Sequence, residues 1–315
     1  MTVRPDRSFL APPDEASDWR MLLVYDAAAD AGVLSALPGT PADVAAASGL
    51  DEHAVRVVLD LLAVWDIVER RSGGRYATGA GAPDPDLAAL LRHHARSIRM
   101  WSGALDARLR GVEPTAAPAS GPAQRERWYA ALAAYARPVA PAAVEACLSR
   151  FPHARRVLDL GGGHGEHALA FARRGLSVTM QDRPEAVDLA RRSGRLEAAG
   201  VRLCAGDFFH DLAEGPFDIV FAAAVTDTYD PARNAALFRL LRPVVAPRGG
   251  VALLAFVRGR NAVVPAFAVQ MLGVGGGGDT HGEEEYARWL AEAGFAAVDV
   301  VDLPGHTQSL VFASR

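Results

Sequence analysis

The sequence contains little cysteine and no excess of positive charge. Its only cysteines among 315 residues are Cys147 and Cys204, which lie far apart and have no His or Cys nearby at metal-ligand spacing. We therefore expect neither a disulfide framework nor a metal site, and the natural prediction is a reducing, cytoplasmic location. The formal net charge of −4 gives no overall basic field, so a nucleic acid is not an expected partner.

Long apolar runs are also missing. No apolar stretch is long enough to cross a bilayer, and residues 1–20 carry charges and prolines without the apolar core of a signal peptide. We expect neither a membrane span nor secretion. Half of the residues are hydrophobic and 22% are charged, which is typical of a folded globular protein. The length is sufficient for two domains, each with its own core.

Residues 1–100 are expected to form a winged-helix-like dimerisation domain. Apolar residues recur at helical spacing, Asp51 stands where it can cap a third helix, and Ser72-Gly73-Gly74 is a hairpin signal. Three helices followed by a hairpin is the order of a winged helix. The third helix offers only His53 and Arg56 as basic side chains for DNA, so we predict dimerisation instead of DNA binding.

Residues 101–150 are expected to form connecting helices that roof a substrate site. The segment 111–121 is rich in Pro, Ala and Ser and is predicted to be a loop. A helix follows from Gln124 to Arg150, and we predict that Pro138 and Pro141 break it. The candidate substrate residues, which are equally compatible with an ordinary core, are Trp128, Tyr129, Phe267 and Met271.

Residues 151–315 show short apolar runs that alternate with helical segments. Buried parallel strands have this composition, and helices between them provide the crossover connections of a parallel sheet. We therefore predict an α/β fold with a Rossmann-like sheet of seven strands, whose last strand pairs antiparallel. The predicted strands are Arg156 to Leu160, Ser177 to Gln181, Arg202 to Ala205, Phe217 to Ala222, Val251 to Phe256, Ala297 to Asp302 and Leu310 to Ala313.

A glycine-rich turn follows the first of these strands. Asp159-Leu-Gly-Gly-Gly-His-Gly165 leads from the strand into a predicted helix, which lets the backbone approach a ligand and directs amide donors at it. Asp182 ends the second strand, where a carboxylate accepts ribose hydroxyls in both NAD and S-adenosylmethionine sites. Asp159 favours the second cofactor, because its charge would repel a diphosphate and attract the ammonium group of a methionine.

The third strand leads into a pair of residues suited to adenine. The Asp207 carboxylate can accept from the exocyclic amine, and the Phe208 ring can cover one face of the base. Taken singly, each of these acids is as well explained as a cap of a strand-to-helix turn. The candidate cofactor residues are Asp159, Gly161, Gly162, Gly163, Asp182, Arg183, Asp207, Phe208 and Ala223.

These motifs resemble those of a known family. The segments at 159–165 and 206–209, together with Glu285-Tyr, Trp289-Leu and Ala293-Gly-Phe295, are similar to the two-domain O-methyltransferases of plant and bacterial secondary metabolism. The resemblance covers nearly the whole chain. It implies S-adenosylmethionine as cofactor, S-adenosylhomocysteine as product, and a homodimer formed through the N-terminal domain.

The catalytic positions depart from the family pattern. The His-Asp-Trp segment of the family falls on Asp227-Thr228-Tyr229, so Asp227 stands in place of the histidine base. The two acids that orient this histidine fall on Phe256 and near Thr280. We take Asp227 as the candidate base, assisted by His281, which follows the glycine run 275–278. Both residues also have an interpretation without a catalytic role: Asp227 as the cap of a turn and His281 as a residue of a surface loop.

Two functions are compatible with this pattern. The first is methyl transfer to a hydroxyl, amine or enol carbon of a small, aromatic or polyketide-like molecule. The second is a role without methyl transfer, such as a pericyclic, hydroxylation or decarboxylation step that retains the cofactor. The glycine run at 275–278 is predicted to be a flexible loop on the substrate side, although a plain surface linker has the same composition.

Overall fold

The computed structural model describes residues 19–112, 121–274 and 277–315. Most of the predicted loop at 111–121 and part of the glycine run at 275–278 lie outside these ranges. The chain divides into two compact units at the boundary between Met100 and Trp101. Residues 101–150 belong to the second unit together with the predicted sheet domain.

The N-terminal unit consists of helices and one small sheet. Thr40 and Asp51 cap the second and third helices, since their side chains accept hydrogen bonds from the amides of Asp43 (3.2 Å) and Ala54 (2.8 Å). The two short strands pair antiparallel, and a core that includes Leu59 and Leu62 lies beneath them. The elements are α1 (Trp19–Asp30), α2 (Pro41–Ser48), α3 (Glu52–Val64), β1 (Val68–Arg70), β2 (Tyr76–Thr78) and α4 (Pro85–Leu109), which crosses the boundary.

Helix α5 (Pro122–Arg150) corrects one prediction. It continues through Pro138 and Pro141 instead of breaking there. A proline inside a helix removes one hydrogen bond and crowds the preceding turn, so intrinsic propensity disfavours this arrangement. The same stretch, however, buries Val139, Val144 and other small side chains in the core that it shares with the helix Glu166–Arg173. This tertiary packing outweighs the local cost, which the sequence pattern alone did not indicate.

The remaining elements form a layered α/β domain. Strands and helices alternate along most of this part of the chain, as predicted. The elements are β3 (Arg156–Leu160), α6 (Glu166–Arg173), β4 (Ser177–Asp182), α7 (Pro184–Ser193), α8 (Arg195–Ala198), β5 (Arg202–Ala205), β6 (Phe217–Ala223), α9 (Pro231–Leu241), β7 (Val245–Ala255), α10 (Val264–Val274), α11 (Glu283–Glu292), β8 (Ala296–Asp302) and β9 (Ser309–Ser314).

The seven strands form one sheet in the order β5-β4-β3-β6-β7-β9-β8. The first five are parallel, whereas β9 pairs antiparallel with both β7 and β8. The predicted fold class and the antiparallel last strand are therefore confirmed. Strand β7 begins at Val245, earlier than predicted. Its first residues contain a register shift, and Pro247 and Arg248 are exposed. An exposed Pro-Arg segment has no apolar run to detect.

Each face of the sheet packs against its own cluster of apolar side chains. Leu158 and Leu160 of β3 belong to one cluster with α9 and α11, and Val157 belongs to the other with α5 and α6. Burial on both faces explains why the strands are continuous apolar runs. Among the described residues, no helix combines the length and apolar character that a membrane crossing requires.

Candidate active site

The predicted cofactor residues lie at one edge of the sheet. Strands β3 to β7 run parallel, so their carboxyl ends share that edge, where ligands bind in open α/β sheets. The amide of Gly163 donates to Oδ2 of Asp182 at 2.8 Å, and the amide of Gly206 donates to the Asp182 carbonyl at 3.0 Å. These contacts join the ends of β3, β4 and β5.

The glycine turn after β3 leaves no room for side chains. Gly161 and Gly163 have φ values of 69° and 48°, in the left-handed region that favours glycine. At Gly162 a Cβ atom would lie 2.5 Å from Cγ of Met180 and 2.7 Å from Oδ2 of Asp159. The turn can therefore follow this tight path only with glycine, and it keeps the amide groups at the N-terminus of α6 accessible to a ligand.

Asp159 lies beneath this turn and is fully buried. Neither carboxylate oxygen has a hydrogen-bond partner among the described residues. Its pKa is raised to about 7: burial and, to a smaller extent, the nearby charge of Asp182 raise it, and the amide of Ala168 partly opposes them. A buried acid without a partner is costly unless something compensates it, and a cation is the natural compensation. Because the carboxyl has no exposed surface, direct contact with a methionine ammonium stays a prediction.

Asp182 is the more accessible acid. Burial raises its pKa, while hydrogen bonds from the amides of Arg183 and Gly163 lower it. The side chain of Arg183 in turn hydrogen-bonds Tyr129, whose own pKa is raised mainly by burial. A Cβ on Gly163 would lie 3.1 Å from Cε1 of Tyr129, so this ring rests on the glycine turn. Tyr129, predicted for the substrate, therefore lies beside the candidate cofactor residues.

The end of β5 presents an aromatic group. The exposed Asp207 accepts a hydrogen bond from the Phe209 amide at 3.0 Å, and Phe208 is 8% exposed within the core. The Phe209 ring meets the Tyr229 ring edge-on at 5.3 Å, and the guanidinium of Arg233 lies 4.4 Å from the Phe209 centroid. The half-buried Phe209 and Tyr229 present more surface at this edge than Phe208 does.

Sequence reasoning missed Phe209, Tyr229 and Arg233 as site residues. Phe209 directly follows the predicted pair, so a wider window would have included it. Tyr229 and Arg233 approach from the segment after β6, a strand that β3 and β4 separate from β5 in the sheet, so only the packing of the segments beyond the strand ends brings these side chains to Phe209. Ala223 ends β6 at the same edge and is half-buried, as the prediction for a cofactor residue requires.

Asp227 lies in a short helical turn directly after β6. It is fully buried, and neither carboxylate oxygen has a hydrogen-bond partner of normal geometry among the described residues. Burial raises its pKa to about 8; the Phe256 amide lowers it, and the charge of Asp279 raises it. Its side chain does not cap a helix, since the next helix, α9, is capped by Asp230. Asp227 is thus a fully buried acid whose pKa is raised mainly by its removal from water.

His281 is also buried, with 1% of its surface exposed. Its Nε2 atom lies 3.2 Å from the carbonyl oxygens of both Thr226 and Tyr229 and 3.0 Å from the side-chain nitrogen of Asn234. No hydrogen bond to Asp227 accompanies these contacts. The surface-loop interpretation of His281 is therefore wrong, and its direct assistance to Asp227 stays a prediction.

The remaining substrate candidates occupy different surroundings. Phe267 of α10 stacks on Phe256, which follows β7, with ring centroids 3.8 Å apart. Trp128 is 38% exposed and packs on Tyr129, whereas Met271 is 9% exposed. Across the described ranges, no group of three or more His, Cys, Asp or Glu side chains could hold a metal ion.

The comparisons with known proteins first define the class. Residues 157–249 match the family model described as "Methyltransferase domain". A curated relative, the release factor glutamine methyltransferase of Geobacter sulfurreducens, is 38% identical over 80 residues. That match covers 24% of this chain and 28% of the relative, so it concerns one segment only. The chain therefore carries a methyltransferase domain on the sheet that contains the glycine turn.

Solved structures extend the likeness to the whole chain. Human N-acetylserotonin methyltransferase, in complex with SAM, has a TM-score of 0.77 at 23% identity and covers 100% of this chain and 99% of its own. The mitomycin 7-O-methyltransferase MmcR has a TM-score of 0.77 at 23% identity and covers 94% of each chain. RosA from Streptomyces davawensis, an N,N-8-amino-8-demethyl-D-riboflavin dimethyltransferase, has a TM-score of 0.75 at 20% identity and covers 94% and 95%.

These comparisons confirm the resemblance to two-domain methyltransferases at the level of the fold. The methyltransferase domain indicates an enzyme and implies S-adenosylmethionine as its cofactor, as predicted. The residues present fit that group: Asp159, a buried acid whose oxygens have no hydrogen-bond partner of normal geometry among the described residues, lies under a glycine turn, and the more accessible Asp182 ends the neighbouring strand. Both acids suit a positively charged ligand better than a diphosphate.

Proposed function

We propose that this protein transfers a methyl group from S-adenosylmethionine to a hydroxyl, amine or enol carbon of a small aromatic or polyketide-like molecule. The observation that carries the proposal is Asp227, a buried carboxyl after the end of β6, next to β3 in the sheet, which accepts no hydrogen bond of normal geometry from the described residues. The solved relatives support the substrate class, since two of them act on mitomycin and on a riboflavin derivative by their names.

The cofactor would be held by the ends of β3, β4 and β5. Asp182 would accept the ribose hydroxyls, Asp207 the adenine amine, and the amides of the glycine turn would face the methionine part. When bound, S-adenosylmethionine supplies the methyl group on a sulfonium centre and brings a positive charge to the site. Tyr129 and Arg183 would close the ribose side of this cleft, because the tyrosine ring rests on Gly163.

Asp227 would accept the proton of the nucleophile. An ordinary Asp is a poor base for a phenol, whose pKa is about 10, because its own pKa is near 4. Burial raises the pKa of Asp227 to about 8, which brings the two values closer together. Only the ionised form can act, and at pH 7 about one tenth of the empty sites would be ionised at this pKa. A cation bound nearby would increase that fraction.

One experiment decides between methyl transfer and its alternative. The protein is incubated with S-adenosylmethionine and a panel of phenols, amines and enols, and S-adenosylhomocysteine is measured. We expect it to form with a methylated product. In Asp227→Asn the turnover number should fall about a hundredfold, the usual effect of losing a general base. Asp299→Asn, at an exposed position of β8, is the matched control. Turnover of Asp227→Asn within severalfold of wild type would eliminate Asp227 as base.

A second candidate is a step without methyl transfer. The raised pKa of Asp227 favours it, because a carboxyl that holds its proton at neutral pH can donate that proton but cannot take one from a nucleophile. The aromatic pair of Phe256 and Phe267, at the place of a family acid, also suits a reaction governed by cavity shape. Conversion of a substrate while S-adenosylmethionine stays intact would identify this function.

Assembly and location are further parts of the proposal. The N-terminal unit would form a homodimer, as the family resemblance implies, and light scattering of the purified chain tests this. A cytoplasmic location agrees with Cys147 and Cys204, which are both free thiols. The small-molecule substrate would be the main partner.

A further inference from the structure

We propose that His281 and Asn234 form a clamp that fixes the turn at 226–229 and thereby positions Asp227 and Tyr229. In this role His281 is a positioning residue and does not accept the substrate proton. The proposal rests on the proposed function, since the turn is part of the candidate active site. It assigns a role to two buried polar side chains, from α9 and from the segment before α11.

Both clamp residues contact the same two backbone atoms. Nδ2 of Asn234 lies 3.0 Å from the carbonyl oxygen of Thr226 and 3.1 Å from that of Tyr229. Nε2 of His281 lies 3.2 Å from each of these oxygens. The two carbonyls mark the start and the end of the turn that carries Asp227. Their positions are therefore fixed from two separate elements of the fold.

The chemistry of these contacts assigns the protons. The Asn234 amide has two N–H donors, and two carbonyl oxygens lie within reach of it. A carbonyl oxygen accepts two hydrogen bonds, so each has capacity for the His281 ring as well. Nδ2 of Asn234 and Nε2 of His281 also lie 3.0 Å apart. Because both amide protons are directed at the two carbonyl oxygens, we place a proton on Nε2 as well, so that both nitrogens donate to the shared carbonyl oxygens and not to each other. A ring nitrogen that carries this proton has no lone pair with which to accept one from a substrate.

Other contacts hold the rest of the turn. The Asp279 amide donates to the Asp227 carbonyl at 3.0 Å, and the Thr226 hydroxyl pairs with the Tyr286 hydroxyl at 2.8 Å. The backbone carbonyls of Thr226, Asp227 and Tyr229 thus all have partners. The Asp227 carboxyl accepts no hydrogen bond of normal geometry from the described residues, so the turn is held through its backbone and the Thr226 hydroxyl and not through this carboxyl.

The turn also reaches the candidate adenine site. Tyr229 meets Phe209 edge-on and lies near Asp207, whose charge raises the tyrosine pKa after the larger effect of burial. A change in the clamp should therefore move Tyr229 as well as Asp227. This predicts an effect on cofactor affinity, which a residue acting only as a base would not have. Cofactor affinity can be measured without knowing the substrate.

The test compares two substitutions of His281 by calorimetric titration with S-adenosylhomocysteine. His281→Gln keeps an N–H donor, and we expect its affinity to stay within about threefold of wild type. His281→Phe keeps a ring but loses the donor, and we expect about a tenfold loss, the typical effect of one missing hydrogen bond. Thermal unfolding is recorded in parallel, so that loss of fold is seen separately.

The outcomes are distinct. Equal affinity of a folded His281→Phe and the wild type would overturn the clamp, and so would equal losses in both variants. If His281→Phe does not fold, Asn234→Asp replaces it, because that side chain has the same shape but cannot donate. Its affinity should also fall about tenfold, and wild-type affinity would overturn the proposal. If the wild type itself does not bind S-adenosylhomocysteine, the proposed function fails, independently of the clamp.

Discussion

The ends of β3 to β5 differ from the end of β6 in how their acids are surrounded. Asp182 is half-buried and Asp207 is exposed, and both accept hydrogen bonds from backbone amides. Asp227 is fully buried and accepts none of normal geometry among the described residues. Accessible, hydrogen-bonded acids are suited to binding polar groups of a ligand, whereas a buried acid has a shifted pKa and is suited to proton transfer.

Asp159 follows the pattern of the ends of β3 to β5 by its place in the sequence, but its environment is like that of Asp227 at the end of β6. Like Asp227, it is buried, and its oxygens have no hydrogen-bond partner of normal geometry among the described residues. Its pKa is raised to about 7. The comparison therefore shows two separate effects. The order of the strands places an acid at the edge of the sheet where the candidate site lies, and the burial of its side chain decides its pKa. Four changes, from the largest expected effect to the smallest, test this difference.

Gly162→Ala should weaken cofactor binding more than any of the other changes. A Cβ there would lie 2.5 Å from Met180 and 2.7 Å from Asp159, so the turn must shift. Affinity for S-adenosylhomocysteine should fall about a hundredfold, as expected for a misplacement near 1 Å. The free energy of unfolding should drop by about 1–3 kcal/mol, the usual cost of overpacking.

Gly103→Ala in α4 is the matched control for this change. No atom lies within 4 Å of a Cβ at that position, so binding should remain as in the wild type. Undiminished cofactor affinity in Gly162→Ala would show that the glycine turn is not where the ligand approaches the backbone.

Asp182→Asn tests the accessible acid. The amide has one acceptor oxygen, whereas the carboxylate has two that now serve the amides of Gly163 and Arg183. We expect a loss of about ten- to a hundredfold in affinity for S-adenosylhomocysteine, because a hydrogen bond to a charged group is removed. Asp188→Asn, exposed on α7, should bind normally. Calorimetry measures both, and equal affinities would place the ribose elsewhere.

The two buried acids should make stability depend on pH. Their pKa values are higher in the folded chain, about 7 and about 8, than the ordinary value of 3.8. The folded state therefore binds more protons, and the free energy of unfolding should fall as pH rises, by at most about 1.4 kcal/mol per pH unit for each group. The fall should span pH 4 to 7 for Asp159 and pH 4 to 8 for Asp227.

Urea unfolding at a series of pH values measures this dependence. Asp227→Asn should remove the part of the slope that extends to pH 8, and Asp159→Asn the part that ends near pH 7. Asp299→Asn on the exposed edge strand should leave the slope unchanged. If both buried-site variants kept the wild-type slope, these carboxyls would not be the protonated groups.

Asp279→Asn should have the smallest effect. The Asp279 charge raises the pKa of Asp227, and Arg258 lies 3.1 Å from its carboxylate and partly compensates it. Removing the charge should lower the pKa of Asp227, so the fall in the free energy of unfolding should end at a lower pH. We expect a shift of less than about one pH unit. Glu283→Gln, which loses a comparable exposed ion pair with Arg260, is the control. An upward shift would contradict the assigned sign.

Much of the fold could be predicted from the sequence because its signals are local. Apolar runs between helical segments indicated the seven strands, and Asp51 marked a helix start that the structure confirms. The continuous helix through Pro138 and Pro141 was not predicted, since tertiary burial outweighs the local cost of proline. The predicted range of strand β7 was too short, because the first residues of the strand carry no apolar pattern.

The candidate site was predicted unevenly for the same reason. The glycine turn and the acids after β3, β4 and β5 follow their strands directly, so spacing was sufficient to place them at one edge. Tyr129 and Arg233 reach that edge from distant segments, and nothing local indicates this. The contact of His281 with the turn at 226–229 depends on two elements that are more than fifty residues apart in sequence.

The sequence by itself determined the class of the fold, the glycine turn and the presence of acids at successive strand ends, because periodicity and spacing act over a few residues. The tertiary structure alone decided which of these acids lie in water and which are buried. Burial depends on helices and loops that pack over the strands from elsewhere in the chain, and with it the protonation of Asp159 and Asp227 changes.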